Sequence, residues 1–200
     1  MQEFVPSREA ARRAALCARC LCCLLIALVT SLLCLAQSAP KVASSDVEAA
    51  YLYNFGKFVR FPNDQGQGSA PFTICILGED AFGGTLDSLI ANESIAGRKI
   101  IARRIQSPAA TSGCQIVFIA QSEGPRLTKD LASFEKSPIL TVSNAHGFLE
   151  QGGMIQFLVQ NDRVRFAVNL SAAEQSGLVL SSELLKVAVR VDAKPAQEGK

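Results

Sequence analysis

The chain has 200 residues with 20 Lys/Arg, 18 Asp/Glu and one His, which give a formal net charge of +2. Four of the basic and two of the acidic side chains lie in residues 1–38, so the remainder carries 16 of each and is neutral. A neutral surface excludes the basic footprint of a nucleic-acid-binding protein. It also excludes the polybasic segment that holds a protein on an anionic membrane.

Residues 1–38 have the organisation of a secretory signal peptide. Four arginines precede an apolar run of 15 residues at 21–35, which is short for a transmembrane helix and typical of a signal's hydrophobic region. Ala36-Gln37-Ser38 is a small-x-small site, which predicts cleavage near Ser38, with Ala36 and Ala39 as alternatives. The chain is therefore expected in the periplasm, and the other interpretation is an uncleaved anchor helix.

The export segment also contains five of the seven cysteines, which leaves Cys75 and Cys114 in the mature chain. An even number of cysteines in an oxidising compartment favours a disulfide. Their spacing is equally compatible with two buried thiols in adjacent strands. The residues alone leave both interpretations open.

The mature chain opens with a predicted amphipathic helix that ends at Pro62. Its apolar residues recur at three- and four-residue steps and should share one face; they are Val47, Ala50, Tyr51, Phe55 and Phe58. Ser45 and Glu48 have the spacing of a capping box. So many aromatic residues on one side predict that the helix packs against a large apolar surface.

Short apolar strands alternate with helical segments after this helix. The strands are predicted at 72–78, 98–105, 115–120 and 138–143, and the helices at 84–91 and 124–136. Such alternation predicts parallel strand pairing with helices on both sheet faces. The fold class is therefore α/β, a three-layer structure whose mixed, mostly parallel sheet is flanked by helices.

The last third of the chain has a different pattern. Strand-like runs at 153–160 and 163–170 are joined by Asn161-Asp162, which predicts a C-terminal antiparallel hairpin. A closing helix is expected at 181–191, with a strand at 187–191 as the alternative. The predicted organisation is a signal peptide (1–38), a short linker (39–45), a single domain (46–192) and a polar tail (193–200).

No catalytic or metal-binding motif is present in the sequence. His146 is the single histidine and has no Cys, Asp or Glu at metal-ligand spacing. The chain contains no G-x-S-x-G, H-E-x-x-H or P-loop sequence. We therefore expect a protein that is not an enzyme and has no cofactor and no metal.

Two positions are candidates for binding. Arg60, Phe61 and Pro62 place a cation beside an aromatic ring at the end of the first helix, and they form one wall of a predicted partner or ligand groove. The alternative is a crevice for a small molecule at the carboxyl ends of the strands, near Gly78, Gln121 and Ser143.

The ordered series of segments resembles the YfiR family. It includes Ala50-Tyr51-Leu52-Tyr53-Asn54-Phe55, Cys75-Ile76-Leu77-Gly78, Gly97-Arg98, Gly152-Gly153-Met154-Ile155, Arg165-Phe166-Ala167-Val168-Asn169-Leu170 and Ser182-Glu183-Leu184-Leu185. The resemblance covers residues 47–191. No single segment is diagnostic, but the series in this order is specific.

The resemblance implies a periplasmic α/β protein that regulates by binding. Its expected partner is the periplasmic sensor domain of an inner-membrane diguanylate cyclase, which it would hold inactive, and an outer-membrane lipoprotein is a second expected partner. A homodimer is a further expected assembly. The family's cysteine pair falls on Cys75 and Cys114, which implies a disulfide here, whereas no cysteine follows Cys114 to form the family's second pair. The alternative function is a periplasmic small-molecule sensor or carrier.

Overall fold

A computed structural model describes residues 43–62 and 70–192, which all lie in one compact unit of the chain. The signal peptide, most of the polar loop after Pro62 and the C-terminal tail fall outside the described residues. The predictions made for those three segments therefore remain predictions.

The described residues form five α-helices and ten strands. The helices are α1 Ser44–Phe58, α2 Gly84–Ile90, α3 Leu127–Ala132, α4 Leu170–Gln175 and α5 Ser182–Val187. The strands are β1 Val59–Arg60, β2 Phe72–Leu77, β3 Ser94–Ile95, β4 Arg98–Ile105, β5 Ile116–Ile119, β6 Leu140–Ser143, β7 Ile155–Gln160, β8 Arg163–Asn169, β9 Val179–Leu180 and β10 Arg190–Asp192. Short 3-10 turns occur at Pro108–Ala110 and Gln121–Arg126.

Eight of these strands form one mixed sheet in the order β10-β8-β7-β6-β5-β2-β4-β3. The pairs from β4 through β2, β5 and β6 to β7 are parallel, and β7 and β8 form the antiparallel hairpin. Asn161 and Asp162 at its turn both have positive φ, 50° and 58°, as a tight two-residue hairpin requires. The predicted mostly parallel sheet with a C-terminal hairpin is confirmed.

The sheet separates two hydrophobic cores, so the predicted three layers are also present. Alternate residues of β2 point to opposite faces: Ile74 and Ile76 belong to one core, and Cys75 and Leu77 to the other. The first core lies under α1, α2, α4 and α5, and we call it the α1 face. The second lies under α3 and contains both cysteines, and we call it the disulfide face.

The structure corrects three predictions about the first helix. α1 begins at Ser44 after Ala43, no side chain caps it, and Glu48 is buried, so the capping box is wrong. Phe58, predicted on the buried face, is 42% exposed. The helix ends at Phe58 and continues directly as β1, so Pro62 does not terminate it.

The closing helix is also shorter than predicted. α5 ends at Val187, and the chain then extends into β10, which pairs in parallel with β8. The β-branched residues at 187–191 explain this outcome, because such side chains fit a pleated surface better than a helix. The alternative prediction of a strand at this end is therefore the better one.

Candidate functional site

The chain passes from α1 into β1 without a loop, and this junction carries the candidate binding surface. β1 pairs antiparallel with β9, with Val59 opposite Leu180 and Arg60 opposite Val179. The Ser181 backbone N–H donates to the Phe58 carbonyl oxygen at 2.9 Å, which extends the pairing to the end of α1. The two short strands therefore form a small separate sheet at one corner of the α1 face.

Strand alternation decides which side chains of this small sheet meet solvent. Val59 and Leu180 are buried in the α1-face core, whereas Arg60 and Val179 point outward. We name the exposed side chains Phe58, Arg60, Pro62 and Val179 the β1–β9 surface. Two of them are large apolar residues, since Phe58 is 42% and Val179 51% exposed.

The three residues of the predicted groove do not behave alike. Arg60 and Pro62 are exposed, and the Pro62 ring lies beside the turn at Gly177. Phe61 is only 6% exposed, because its ring packs edge-on against Phe72 with centroids 5.6 Å apart. Phe61 therefore anchors the surface from below, and only Arg60 and Pro62 are available to a partner.

Sequence reasoning missed Phe58 and Val179 as members of this surface. Phe58 was assigned to the core from the helical period, and that period breaks down where the helix becomes a strand. Val179 lies in the apolar run Leu178-Val179-Leu180, which has no apolar-polar alternation, so no signal in the sequence indicates that this valine faces outward.

Cys75 and Cys114 form a disulfide on the opposite face of the sheet. Cys75 is the fourth residue of β2, and Cys114 lies two residues before β5, which pairs with β2. Their Cα atoms are 5.9 Å apart and both residues are buried. The bond joins the two cysteines that the family resemblance pairs, and it ties the loop before β5 to the middle of the sheet.

Arg103 covers this disulfide from the neighbouring strand β4, where it lies opposite Cys75 in the register. Its Nη2 atom lies 3.1 Å from the Cys114 Sγ and 3.5 Å from the Cys75 Sγ. The same nitrogen donates to the carbonyl oxygens of Ala110, at 3.0 Å, and Ser112, at 2.7 Å. The arginine therefore holds the loop that leads into Cys114 at the same point as the disulfide.

The acidic turn after β2 is part of a structural ion cluster. Arg104 on β4 donates from Nε to Asp80 at 2.8 Å and pairs through Nη2 with Asp87 of α2 at 2.6 Å. The hydrogen bond from Arg104 holds the pKa of the Asp87 carboxyl below its usual value. These carboxyl groups are engaged in joining β4 to α2.

The crevice predicted near Gly78, Gln121 and Ser143 is occupied by the protein itself. A Cβ on Gly78 would lie 2.7 Å from the Ser122 hydroxyl, and that hydroxyl accepts a hydrogen bond from Glu79 N–H. Ser143 is fully buried and donates to the Ile119 carbonyl at 2.7 Å. This end of the sheet therefore offers little room for a ligand beside these residues.

A cavity of about 870 Å³ lies elsewhere, between α3, the start of β7 and α4. Its wall is mixed, with apolar Leu131, Phe134 and Met154 beside polar Thr141 and Asn169. The volume falls in the range of small-molecule sites. None of the residues of the predicted crevice contributes to it.

A family model described as YfiR/HmsC-like matches residues 45–189. The chain belongs to this family. The match runs from the first turns of α1 to the residue before β10 and includes both cysteines. Family membership suggests a periplasmic regulator of cyclic-di-GMP signalling.

None of the curated proteins compared with the chain is a significant match. Among solved structures, one similar chain is a conserved domain protein from Vibrio cholerae O1 biovar El Tor str. N16961. It is 12% identical, with a TM-score of 0.49 over 72% of this chain and 60% of that chain.

A second similar structure is the ABC domain in complex with L-Trp from Streptococcus pneumoniae. It is 13% identical, with a TM-score of 0.51 over 74% of this chain and 60% of that chain. This chain therefore spans about three fifths of either structure. At this identity the second match supports the α/β fold alone.

The described residues also lack a metal-binding cluster and a membrane-spanning helix. No group of three or more His, Cys, Asp and Glu side chains is placed to hold a metal within residues 43–62 and 70–192. In the same part of the chain, no helix has the length and apolar character needed to cross a bilayer.

Proposed function

We propose that this protein is a periplasmic regulator that binds the periplasmic sensor domain of an inner-membrane diguanylate cyclase and holds the enzyme inactive. The YfiR/HmsC-like match over residues 45–189 is the observation that carries this proposal. Such a protein acts by binding one state of its partner more tightly than the other, which shifts the partner's equilibrium. This role requires a rigid recognition surface and no catalysis by the regulator. The proposal includes two further associations. An outer-membrane lipoprotein binds this protein and so releases the cyclase, and two copies of this chain form a homodimer.

We assign partner recognition to the β1–β9 surface. Arg60 and Val179 are directly opposite each other on paired strands, and Phe58 adjoins them at the end of α1. Aromatic residues and arginine are enriched at the centres of protein interfaces, and Phe58 and Arg60 supply one of each beside the exposed Val179. The disulfide, on the other face of the sheet, has the supporting role of keeping the scaffold rigid.

The first experiment measures cyclic-di-GMP in cells that lack the protein. The level should rise on deletion and return to normal when the gene is restored. An unchanged level after deletion would contradict the proposed function. In parallel, the tagged protein should co-purify with a membrane protein that carries a diguanylate cyclase domain.

Substitutions then test the surface. Val179→Asp and Arg60→Glu should each lower affinity for the purified sensor domain by at least tenfold, since truncated or reversed central residues cost about 2 kcal/mol or more. Val159→Asp is the matched control, because Val159 is a strand valine that is 64% exposed at the far hairpin. Arg163→Glu is the matched control for Arg60. Equal losses at the test and control positions would place the interface elsewhere.

The cavity between α3 and α4 supports a second candidate function, a periplasmic small-molecule sensor or carrier. A cavity of about 870 Å³ is large enough for a metabolite. Native mass spectrometry of the protein purified from the periplasm tests this function. A retained ligand that Ala172→Phe eliminates would support it, since Ala172 lines the cavity. No retained ligand and no thermal shift across a metabolite panel would count against it.

A further inference from the structure

The carboxyl group of Glu48 is buried although the proposed function makes no use of it. Glu48 lies in α1, five residues from the start of the described chain, and is only 5% exposed. Its partner is the side chain of Asn144, which is 96 residues away in the sequence. The Asn144 Nδ2 atom donates to Glu48 Oε2 at 3.2 Å. Among the described residues this is the one hydrogen bond to the Glu48 side chain, and burial of an ionised carboxyl group with so few partners is energetically unfavourable.

Asn144 presents a second polar atom at the same place. Its Oδ1 oxygen is buried and has no hydrogen-bond partner among the described residues. The chain on either side of Asn144 is held, because the hydroxyl of Ser143 donates to the Ile119 carbonyl and accepts from the Ala145 N–H at 2.9 Å. The Asn144 amide therefore extends from an anchored turn after β6, with its nitrogen bonded to Glu48 and its oxygen unsatisfied.

The donors and acceptors of the two side chains match each other only when Glu48 is protonated. A carboxylate accepts hydrogen bonds and donates none, so it can satisfy Asn144 Nδ2 but leaves the oxygen unpaired. A carboxylic acid has one O–H donor, and the planar carboxyl and carboxamide groups can then form two parallel hydrogen bonds. We propose that Glu48 and Asn144 form a proton-dependent pair in which protonated Glu48 donates to Asn144 Oδ1 and joins the first turns of α1 to the end of β6.

The electrostatics around Glu48 agree with this geometry. Burial raises the pKa of the Glu48 carboxyl to about 7, and the hydrogen bond from Asn144 opposes that rise. Ionisable groups are present on α1 itself, on the elements packed against it and in the segment after Asn144: Asp46, Tyr51, Tyr53 and Lys57 on α1, Asp87 on α2, Arg60 on β1, Arg163 and Arg165 on β8, Glu183 and Lys186 on α5, and His146 and Glu150 after Asn144. None of them is among the causes of the Glu48 pKa shift.

The direction of the pH dependence follows from the raised pKa. The folded protein holds the Glu48 proton up to about pH 7, whereas the unfolded chain releases it near the ordinary value of 4.5. The contribution of the pair to stability is therefore complete below about pH 4.5, decreases as the pH rises, and is lost above about pH 7. Above that pH the ionised carboxyl faces the unpaired oxygen of Asn144, and the start of α1 should loosen.

The first test measures the titration of Glu48 directly in the unmodified protein. Glutamate is labelled with ¹³C, the Glu48 Cδ resonance is assigned through bonds, and its chemical shift is followed with pH. We expect a midpoint near 7. A midpoint below about 6 would overturn the proposal, because Glu48 would then be ionised at neutral pH.

The second test uses Glu48→Gln, whose amide can donate to Asn144 Oδ1 and accept from Nδ2 at every pH. Between pH 5 and 7 the unfolding constant of the wild type should rise relative to that of this variant by up to tenfold per pH unit, as expected for one linked proton. Above pH 7 the ratio should level off. Glu174→Gln is the matched control at an exposed position, and its curve should stay parallel to that of the wild type.

The second test also has results that would contradict the proposal. A wild-type to Glu48→Gln ratio that is constant from pH 5 to pH 8 would contradict a proton-dependent pair. Asn144→Leu adds a further check, because it removes the proposed acceptor while it keeps the site filled. Loss of an acceptor for the carboxylic acid should lower the Glu48 midpoint in Asn144→Leu, so an unchanged or higher midpoint would contradict the pair.

Discussion

The two faces of the sheet are stabilised in different ways. On the α1 face, the rings of Tyr51 and Phe55 contact each other, and each also contacts the rings of Phe157 and Phe166, with centroids 5.1–5.9 Å apart. On the disulfide face, a covalent bond and the guanidinium of Arg103 hold a loop against the strands. Both faces bury apolar area, and the disulfide face has a covalent cross-link in addition.

This difference has a functional meaning. Packing of large rings resists changes in volume, so the α1 face should behave as one rigid block that supports the β1–β9 surface. A cross-link acts mainly by restricting the unfolded chain, and it can be removed by reduction. The disulfide face is therefore the one that a change of redox conditions can weaken.

The largest effect is expected from Phe55→Ala. Phe55 is fully buried and its ring contacts Tyr51, Phe157 and Phe166, so truncation should lower the free energy of unfolding by about 3–5 kcal/mol. Guanidinium unfolding measures the change. Phe58→Ala is the matched control on the same helix and should cost less than about 1 kcal/mol, since Phe58 is exposed. Similar costs for the two variants would mean that the faces of α1 are wrongly assigned.

Removal of the cross-link should have the next largest effect. Cys75→Ala with Cys114→Ala is expected to lower the free energy of unfolding by about 2–4 kcal/mol, since the bond closes a loop between residues 39 apart. The wild type in reductant should show a loss of similar size, and reductant should leave the double variant unchanged. Two titratable thiols in the unreduced, denatured wild type would show that the bond does not form.

A smaller effect is expected from Arg103→Met. This change removes the hydrogen bonds to the carbonyls of Ala110 and Ser112, and we expect a loss of about 1–3 kcal/mol in the free energy of unfolding. Lys99→Met is the matched control, since Lys99 is an exposed cation on the same strand, and it should stay within about 0.5 kcal/mol of the wild type. Because Arg103 and the disulfide hold the same loop, the two losses should not add.

The smallest effect is expected at the edge of the sheet, away from both cores. Ala96 has a φ of 51° in the turn between β3 and β4, a conformation that an alanine adopts only with strain. Ala96→Gly should therefore stabilise the protein by about 0.5–1 kcal/mol. Ala91→Gly is the matched control, because Ala91 has a helical φ of −53° and glycine there should destabilise by a similar amount. Thermal melting that showed the same sign for both variants would contradict the turn geometry.

Much of the fold was accessible from local sequence pattern. β4 has the bounds that its sequence predicted, 98–105, and the hairpin turn falls on Asn161 and Asp162. Both predictions depend on periodicity and turn chemistry that act within a few residues. Leu127, Leu131 and Phe134 are likewise buried as the helical period predicted, although α3 itself is only six residues long.

The candidate sites were less accessible. Arg60 was predicted as a binding residue because it stands beside an aromatic residue in the sequence, and it stays a prediction, whereas Phe61 is a core residue. Arg103 lies in the strand predicted at 98–105, and nothing in the sequence placed it over the disulfide. Glu48 was interpreted as a cap because Ser45 has the right spacing, and the true partner, Asn144, lies 96 residues away.

The sequence by itself determined the order of the longer strands, the antiparallel hairpin and the aromatic character of α1, because each follows from contacts between residues close in the chain. Only the tertiary structure decided that Glu48 faces Asn144, that Arg103 covers the disulfide and that Phe58 meets solvent. These outcomes depend on which segments, far apart in the sequence, contact each other after folding. Burial and hydrogen bonding between such segments are set by the packing of the folded chain, and the periodicity of a short stretch of sequence does not specify that packing.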